Sequence, residues 1–128
     1  MTKKIILSEQ APKPIGPYNQ AVKTGNLIFC AGQVPIDPKA GKILAEGITA
    51  QTHQVLKNIQ GVLSAESLTL EHVVKATVFM KDLADFAKMN EVYSQYFKNE
   101  TAPARSTIQV ARLPLDSLVE IEVIAQTS

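Results

Sequence analysis

Two stretches near the C-terminus carry ionisable side chains that could bind a substrate and take part in a reaction. Arg105 lies in the first stretch, and Glu120 and Glu122 lie in the second. A guanidinium offers a rigid fork of donors that matches a carboxylate at two points, and each such hydrogen bond contributes about 1.5 to 3 kcal/mol. A glutamate can take a proton from water as a general base. We therefore predict that residues 103–121 serve to bind a small carboxylate and to hydrolyse it.

Backbone alternation predicts which of these side chains share a face. In an extended strand, Arg105, Thr107 and Gln109 point the same way, and this face is polar throughout. The apolar alternation of the last strand predicts a core face, which places Glu120 and Glu122 on the opposite one. We therefore expect two adjacent strands to present ionisable groups away from the main core.

A plain structural role is the alternative. Arg105 and Glu120 could form an ion pair on the sheet surface, and spacing alone favours that interpretation. A direct hairpin between the two strands would place Glu120 opposite Gln109, about 13 Å along the strand from Arg105. A site would then need an intervening strand, a bridging substrate or a neighbouring chain.

Hydrophobic spacing predicts the elements that position these groups. Thr49 is predicted to cap a helix of about four turns, because apolar residues recur at helical spacing up to Leu63. A second helix is predicted between Asp82 and Phe97, with Asp82 or Asp85 as its cap. Prolines and glycines predict irregular loops at residues 11–17 and 35–47. The predicted strands are residues 4–7, 18–23, 27–32, 73–80, 104–111 and 118–126.

This order of elements favours an α+β fold with a mixed sheet and both helices packed on one face. With 128 residues, of which 45% are hydrophobic, one domain spanning residues 1–128 is expected. The strand at residues 27–31 is apolar on both alternations, so its second face also needs cover. Since no third helix is predicted, another copy of the chain is the expected cover.

Charge and cysteine content argue against several classes of partner. The chain has 13 basic and 12 acidic residues, and no basic stripe suggests a nucleic acid or an anionic membrane. Cys30 is the only cysteine, which excludes an internal disulfide and fits a reducing compartment. No signal-peptide pattern or membrane-spanning apolar run is evident. We expect a soluble, cytoplasmic protein.

Other side chains have both structural and functional interpretations. Tyr18 follows a proline-rich loop, where spacing alone favours a core or interface tyrosine. Asn90 falls inside an apolar helical stripe, and both a packing role and a pocket role remain open for its amide. Cys30 is predicted to be a buried, inert thiol. His53 and His72 lack ligand spacing and are predicted to be solvated rather than to hold a metal.

The order of residues resembles the signature of a known family. The run Pro103-Ala104-Arg105-Ser106-Thr107-Ile108-Gln109-Val110-Ala111-Arg112-Leu113-Pro114, followed by Val119-Glu120-Ile121-Glu122, is similar to that of the RidA family, the reactive-intermediate deaminases. The resemblance extends nearly end to end, through Ala11-Pro12, Ile15-Gly16-Pro17-Tyr18, Gly32-Gln33, Gln51-Thr52, Val74-Lys75-Ala76-Thr77-Val78-Phe79 and the residues from Asn90 to Tyr93.

The resemblance implies a chorismate-mutase-like α+β fold that assembles as a homotrimer, with sites in the clefts between subunits. It implies hydrolysis of enamines and imines such as 2-aminoacrylate, 2-iminobutanoate and 2-iminopropanoate to 2-oxo acids and ammonia, with no metal or organic cofactor. By position, Arg105 would anchor the substrate carboxylate and Glu120 would position or activate water. Tyr18, Gly32 and Asn90 would line the pocket, and Gly32 and Thr107 would contribute backbone groups to it.

Two positions depart from the family pattern, and two other functions remain open. Ala31 stands where many members have serine, and Thr107 stands where many have cysteine, so any thiol role at position 107 is excluded. A non-catalytic protein that binds a small acid through Arg105 is one alternative. A ribonuclease or translation inhibitor is another, although the chain lacks the basic groove and stacking aromatics expected for single-stranded RNA.

Overall fold

A computed structural model describes residues 2–127 of the chain. It contains eight strands, two α-helices and three short 3-10 turns. In chain order these are Lys4–Ile6 (β1), Ala21–Thr24 (β2), Leu27–Gln33 (β3), Ile36–Asp37 (β4), Lys42–Ile43 (β5), Gly47–Ser64 (α1), Val73–Met80 (β6), Phe86–Tyr96 (α2), Ala104–Gln109 (β7) and Val119–Gln126 (β8).

Six of the strands form one mixed sheet, in the order β1-β2-β3-β8-β6-β7. All pairs are antiparallel except β6 and β7, which run parallel on either side of α2 in the chain. The prediction that the last two strands are adjacent is wrong, because β6 lies between β7 and β8. Such an intervening strand is one of the conditions that the sequence set for a site.

Both helices pack on the same face of the sheet, as predicted. Buried side chains of α1 and of α2 join one core with the inward residues of β3, β6 and β8. Helix α1 begins at Gly47, two residues before the predicted cap Thr49, and its N-cap Glu46 makes no side-chain hydrogen bond. Asp82 accepts a hydrogen bond from the backbone N–H of Ala84 and so caps the turn that precedes α2.

The opposite face of the sheet is uncovered in the single chain, and it is partly apolar. Cross-strand register places Ile5, Val22, Phe29 and Ile124 in one row across β1, β2, β3 and β8. Phe29 is 43% exposed and Ile5 is 46% exposed. The structure therefore shows exposed apolar side chains on the face that was predicted to need cover.

The loops differ from the predictions in detail. Residues 35–47, predicted as an irregular loop, contain the short β4–β5 hairpin. The predicted strand at residues 18–23 begins only at Ala21, so Tyr18 lies in the preceding loop. No helix within residues 2–127 is both long enough and apolar enough to cross a membrane.

Candidate functional site

Arg105 faces the helices, not away from them. The parallel register pairs Arg105 with Ala76 and Thr107 with Val78, and both β6 residues are fully buried under the helices. Paired residues of neighbouring strands point to the same side, so the polar face of β7 is an extension of the core face. The expectation that Arg105 points away from the main core is wrong, because the parallel pairing with β6 places this alternation of β7 on the side of the helices.

The guanidinium of Arg105 is held by side chains of α2. Nη1 of Arg105 donates a hydrogen bond of 2.7 Å to Oδ1 of Asn90. Cζ of Arg105 lies 4.6 Å from the centroid of the Tyr93 ring and 5.6 Å from that of Phe86. Within residues 2–127, Arg105 forms no ion pair, whereas Arg112 is paired with Asp116. The alternative of a permanent Arg105–Glu120 pair within one chain is therefore wrong.

A hollow of about 260 Å³ opens beside Arg105, lined by α2 and the loop that leads into β7. Asn90, Tyr93, Ser94 and Pro103 contribute to its wall. Burial raises the pKa of the Tyr93 phenol, against the opposing effect of the Arg105 charge. The hollow therefore offers an uncompensated positive charge with aromatic walls, which suits a small anion.

Thr107 follows Arg105 on the same face of β7. Its Oγ1 is buried and has no hydrogen-bond partner within the described residues. A buried hydroxyl without a partner is costly by about 1 to 3 kcal/mol, so such groups need an explanation. The Thr107 side chain does not line the hollow beside Arg105.

Glu120 lies on the uncovered face of the sheet, against the backbone of β3. A Cβ added at Gly32 would meet the carboxylate of Glu120, with Cδ only 2.9 Å away. Glycine at position 32 is therefore what allows the carboxylate to lie flat on the strand. Burial, and secondly the neighbouring Glu122 charge, raise the pKa of Glu120 above its usual range. A carboxylate in this setting is a stronger proton acceptor than an ordinary surface glutamate.

Glu120 and Gly32 line a second cavity, of about 300 Å³, together with Tyr18. The hydroxyl oxygen of Tyr18 accepts a hydrogen bond of 3.2 Å from the backbone N–H of Ile15, and the ring is 47% exposed. Apolar walls come from Ala31, Val34, Ile36 and Pro114. Three of the predicted site residues thus meet in one small cavity with one carboxylate and mostly apolar walls.

The loop that carries Tyr18 is fixed by a side chain that the sequence analysis missed. Gln20 is 1% exposed, and its Oε1 accepts a hydrogen bond from the Ser8 N–H. Its Nε2 donates to the carbonyls of Ser8 and Pro12, and more weakly to that of Ala11. A glutamine after a proline-rich loop, where the carbonyls have no strand partners, is the signal that could have identified this role.

We expect Gln20→Leu to destabilise the protein by about 3 kcal/mol, because it leaves several buried backbone groups without partners. Urea unfolding should show a lower midpoint with an unchanged dependence of free energy on urea concentration. The matched variant Gln60→Leu, at an exposed position of α1, should unfold close to the wild type. Equal stability of Gln20→Leu and the wild type would contradict the role of this amide.

The structure groups the predicted residues into two half-sites on opposite faces of the sheet. One half-site holds Arg105 and Asn90 on the helix side, and the other holds Tyr18, Gly32 and Glu120 on the uncovered side. Because β6 and the thickness of the sheet separate them, one chain does not bring the guanidinium and the Glu120 carboxylate together.

The remaining candidates have structural surroundings. Cys30 is buried in β3, and burial raises the pKa of its thiol to about 12. His53 is half-buried and its Nδ1 lies 2.8 Å from the hydroxyl of Tyr96, so its predicted solvation is wrong. Within residues 2–127, no three His, Cys, Asp or Glu side chains are grouped so as to hold a metal ion.

Comparison with known proteins identifies the family. The family model described as Endoribonuclease L-PSP matches residues 8–127. A RutC family protein of Pyrococcus horikoshii is 57% identical over 123 residues, which are 96% of this chain and 97% of that protein. A 2-iminobutanoate/2-iminopropanoate deaminase of Salmonella typhimurium is 48% identical over 124 residues, which are 95% of this chain and 96% of that protein.

A solved relative has the same fold. The crystal structure of E. coli TdcF with bound serine is 45% identical, with a TM-score of 0.91 over 98% of this chain and 99% of that chain. Sequence and fold agree over nearly the whole length. The chain therefore belongs to the Endoribonuclease L-PSP family, which is the RidA family that its motifs resemble.

Proposed function

We propose that this protein hydrolyses enamines and imines derived from amino acids, such as 2-aminoacrylate, to 2-oxo acids and ammonia. The observation that carries the proposal is the Arg105 guanidinium, which has no acidic partner within residues 2–127 and lies beside a hollow. A relative at 48% identity is named a 2-iminobutanoate/2-iminopropanoate deaminase. Another was solved with bound serine, a small molecule that carries a carboxylate.

In the proposed reaction, Arg105 binds the substrate carboxylate at two points and Asn90 keeps the guanidinium in place. An enamine first takes a proton on its terminal carbon and becomes the iminium ion. Water then forms a bond to the electrophilic carbon while Glu120 accepts a proton from that water. Glu120 returns the proton to nitrogen, and the C–N bond breaks with its electron pair leaving on ammonia. The hydroxyl proton passes to the released ammonia as the 2-oxo acid forms, which gives ammonium and balances the proton that the enamine took up from solvent.

We propose that the site is completed by a second copy, in a homotrimer. Arg105 of one chain and Glu120 of its neighbour would face the same cleft, since the two lie on opposite faces of a single sheet. The partly apolar row formed by Ile5, Val22, Phe29 and Ile124 would be covered in the assembly. Burial of such a row is a favourable term for association.

Mixing two inactive variants tests the shared site directly. Arg105→Ala and Glu120→Gln chains, unfolded together in equal amounts and refolded, should recover about a quarter of the wild-type activity, because one interface in four then pairs an intact Arg105 with an intact Glu120. Each variant refolded alone is the control. If the mixture is as inactive as its components, the site lies within one chain and the two-copy proposal is wrong.

A coupled assay tests the reaction itself. A serine dehydratase would generate 2-aminoacrylate in place, and pyruvate and ammonia release would be followed with and without the protein. We expect faster release in its presence, and a dependence on protein concentration that Arg105→Ala abolishes. No acceleration at any concentration would leave only a binding role for the Arg105 half-site.

The pH dependence of activity should follow the raised pKa of Glu120. Glu122→Gln removes the like charge that is the second cause of this shift, so the acid limb of kcat/KM should move to lower pH. Burial, the larger cause, remains, so the limb should stay above that of an ordinary glutamate. The measurement is a pH profile of kcat/KM for both proteins, and an unmoved limb would contradict the assignment of Glu120 as the base.

RNA cleavage is the competing activity, because the matching family model carries the description of an endoribonuclease. Purified protein incubated with a single-stranded RNA should leave it intact if imine hydrolysis is the function. Cleavage that Arg105→Ala abolishes would favour the ribonuclease, since it would place the same guanidinium on a phosphate. Cleavage that persists in Arg105→Ala would point to a contaminant.

A further inference from the structure

The guanidinium of Arg105 rests against two aromatic rings of α2. Tyr93 lies 4.6 Å from Cζ and Phe86 lies 5.6 Å from it, both measured to the ring centroid. These distances are within the range of cation–π contacts. We refer to the rings of Tyr93 and Phe86 as the aromatic platform.

The aromatic platform and the hydrogen-bond acceptors contact different parts of the guanidinium. A ring contacts the flat face of the group, whereas hydrogen bonds are made at its edge, in the plane. Within residues 2–127, the edge is used by Asn90 alone, through Nη1. A guanidinium has five N–H donors, so most of the edge remains available for the two oxygens of a carboxylate.

The ring of Tyr93 lies 4.6 Å from Cζ of Arg105, and its hydroxyl is near enough to the guanidinium for Arg105 to oppose the rise of the phenol pKa that burial causes. The hydroxyl oxygen is buried and has no hydrogen-bond partner within the described residues. Tyr93 also packs on Phe97, with ring centroids 4.5 Å apart, which fixes the plane of its ring. A fixed ring under a long, flexible side chain removes rotamer freedom from that side chain before a ligand arrives.

We infer that Tyr93, assisted by Phe86, is a positioning residue that holds the Arg105 fork ready for a substrate carboxylate. The inference rests on the proposed function and deepens it. Because the platform acts on Arg105 in the substrate complex and in the transition state alike, its loss should raise KM and leave kcat nearly unchanged. A role in packing alone would lower stability without this separation of the two constants.

The test compares Tyr93→Leu with Tyr93→Phe, which keeps the ring. Calorimetry with 2-oxobutanoate, an unreactive carboxylate, should show binding weakened on the order of tenfold in Tyr93→Leu and about unchanged in Tyr93→Phe. KM in the coupled assay should rise by a similar factor in Tyr93→Leu, with kcat preserved. The matched control Tyr96→Leu removes another aromatic ring of α2, one that bonds to His53, and should bind as the wild type does.

Two results would overturn the inference: equal binding by Tyr93→Leu and the wild type, or equally weak binding by Tyr93→Phe and Tyr93→Leu. If Tyr93→Leu does not fold, Phe86→Leu replaces it, since Phe86 is 39% exposed and its removal leaves the core intact. We expect about threefold weaker binding there, and unchanged binding would overturn the inference.

The outcomes also separate the platform from the proposed function. If the wild-type protein binds 2-oxobutanoate but does not hydrolyse imines, the proposed deaminase activity is refuted. The comparison of 2-oxobutanoate binding between the wild type and Tyr93→Leu then still tests the positioning role of Tyr93. Imine hydrolysis by the wild type, with Tyr93→Leu binding equally well, would refute the platform alone. Wild-type protein that binds no 2-oxobutanoate would overturn the platform, because Arg105 would then have no carboxylate to hold, and the coupled assay would decide on imine hydrolysis separately.

Discussion

Arg105→Ala is expected to lower kcat/KM for imine hydrolysis by about 10²- to 10⁴-fold, because two charge-assisted hydrogen bonds of about 1.5 to 3 kcal/mol each are lost. Arg105 is not part of an ion pair within residues 2–127, so its removal leaves no buried charge unpaired. The fold should therefore persist. Steady-state kinetics and far-ultraviolet circular dichroism on the same samples measure both quantities.

Arg112→Ala is the matched control for this variant. Arg112 forms an exposed ion pair with Asp116, with side-chain exposures of 75% and 70%, and such pairs contribute little. The kcat/KM of Arg112→Ala should therefore stay close to that of the wild type. Arg105→Lys should be intermediate, since it keeps the charge and loses the fork. Wild-type kinetics in Arg105→Ala would refute the carboxylate anchor and with it the proposed reaction.

Glu120→Gln is expected to abolish most turnover while binding of 2-oxobutanoate is retained. A general base contributes about 10²- to 10⁴-fold to the rate, and the amide cannot take a proton from water. Gly32→Ala should produce the same defect with Glu120 intact, because the added Cβ displaces the carboxylate. Kinetics and calorimetry on the two variants separate chemistry from binding. Undiminished turnover in Glu120→Gln would exclude the water-activating role.

Glu120→Gln should also change how the free energy of unfolding depends on pH. Since the pKa of Glu120 is raised in the folded protein, its contribution to the free energy of unfolding is complete below the pKa of an unfolded glutamate. That contribution is lost as the pH rises through the folded pKa. Glu120→Gln lacks this loss, so its stability relative to the wild type should increase from acid to neutral pH. Urea unfolding across that range measures the effect, and Glu46→Gln controls for a change of charge on the surface.

The sequence predicted most of the elements because their hydrophobic spacing is regular. β6 and β8 alternate cleanly, and both helices carry apolar stripes that end near their observed bounds. The start of α1 was misplaced because its first turn lacks a side-chain cap, so Thr49 was the nearest residue of the expected type. Hydrophobic pattern therefore fixes the body of an element better than its ends.

Strand order and facing could not be obtained from the same pattern. β7 has polar residues on one alternation and mixed residues on the other, so neither face of it identifies the core. Only the parallel register with β6 reveals that Arg105 and Thr107 are on the helix side. The contact between Tyr93 and Arg105 could not be predicted for a related reason, since periodicity detects burial and does not detect the charged group that the ring supports.

The opposite facing of Arg105 and Glu120 makes catalysis a collective property of the proposed assembly. In a solution diluted below the association range, specific activity should decline with concentration while circular dichroism remains unchanged. Rates would then scale more steeply than linearly with the amount of protein. An assay performed at a single low protein concentration would therefore underestimate the specific activity of the assembled protein.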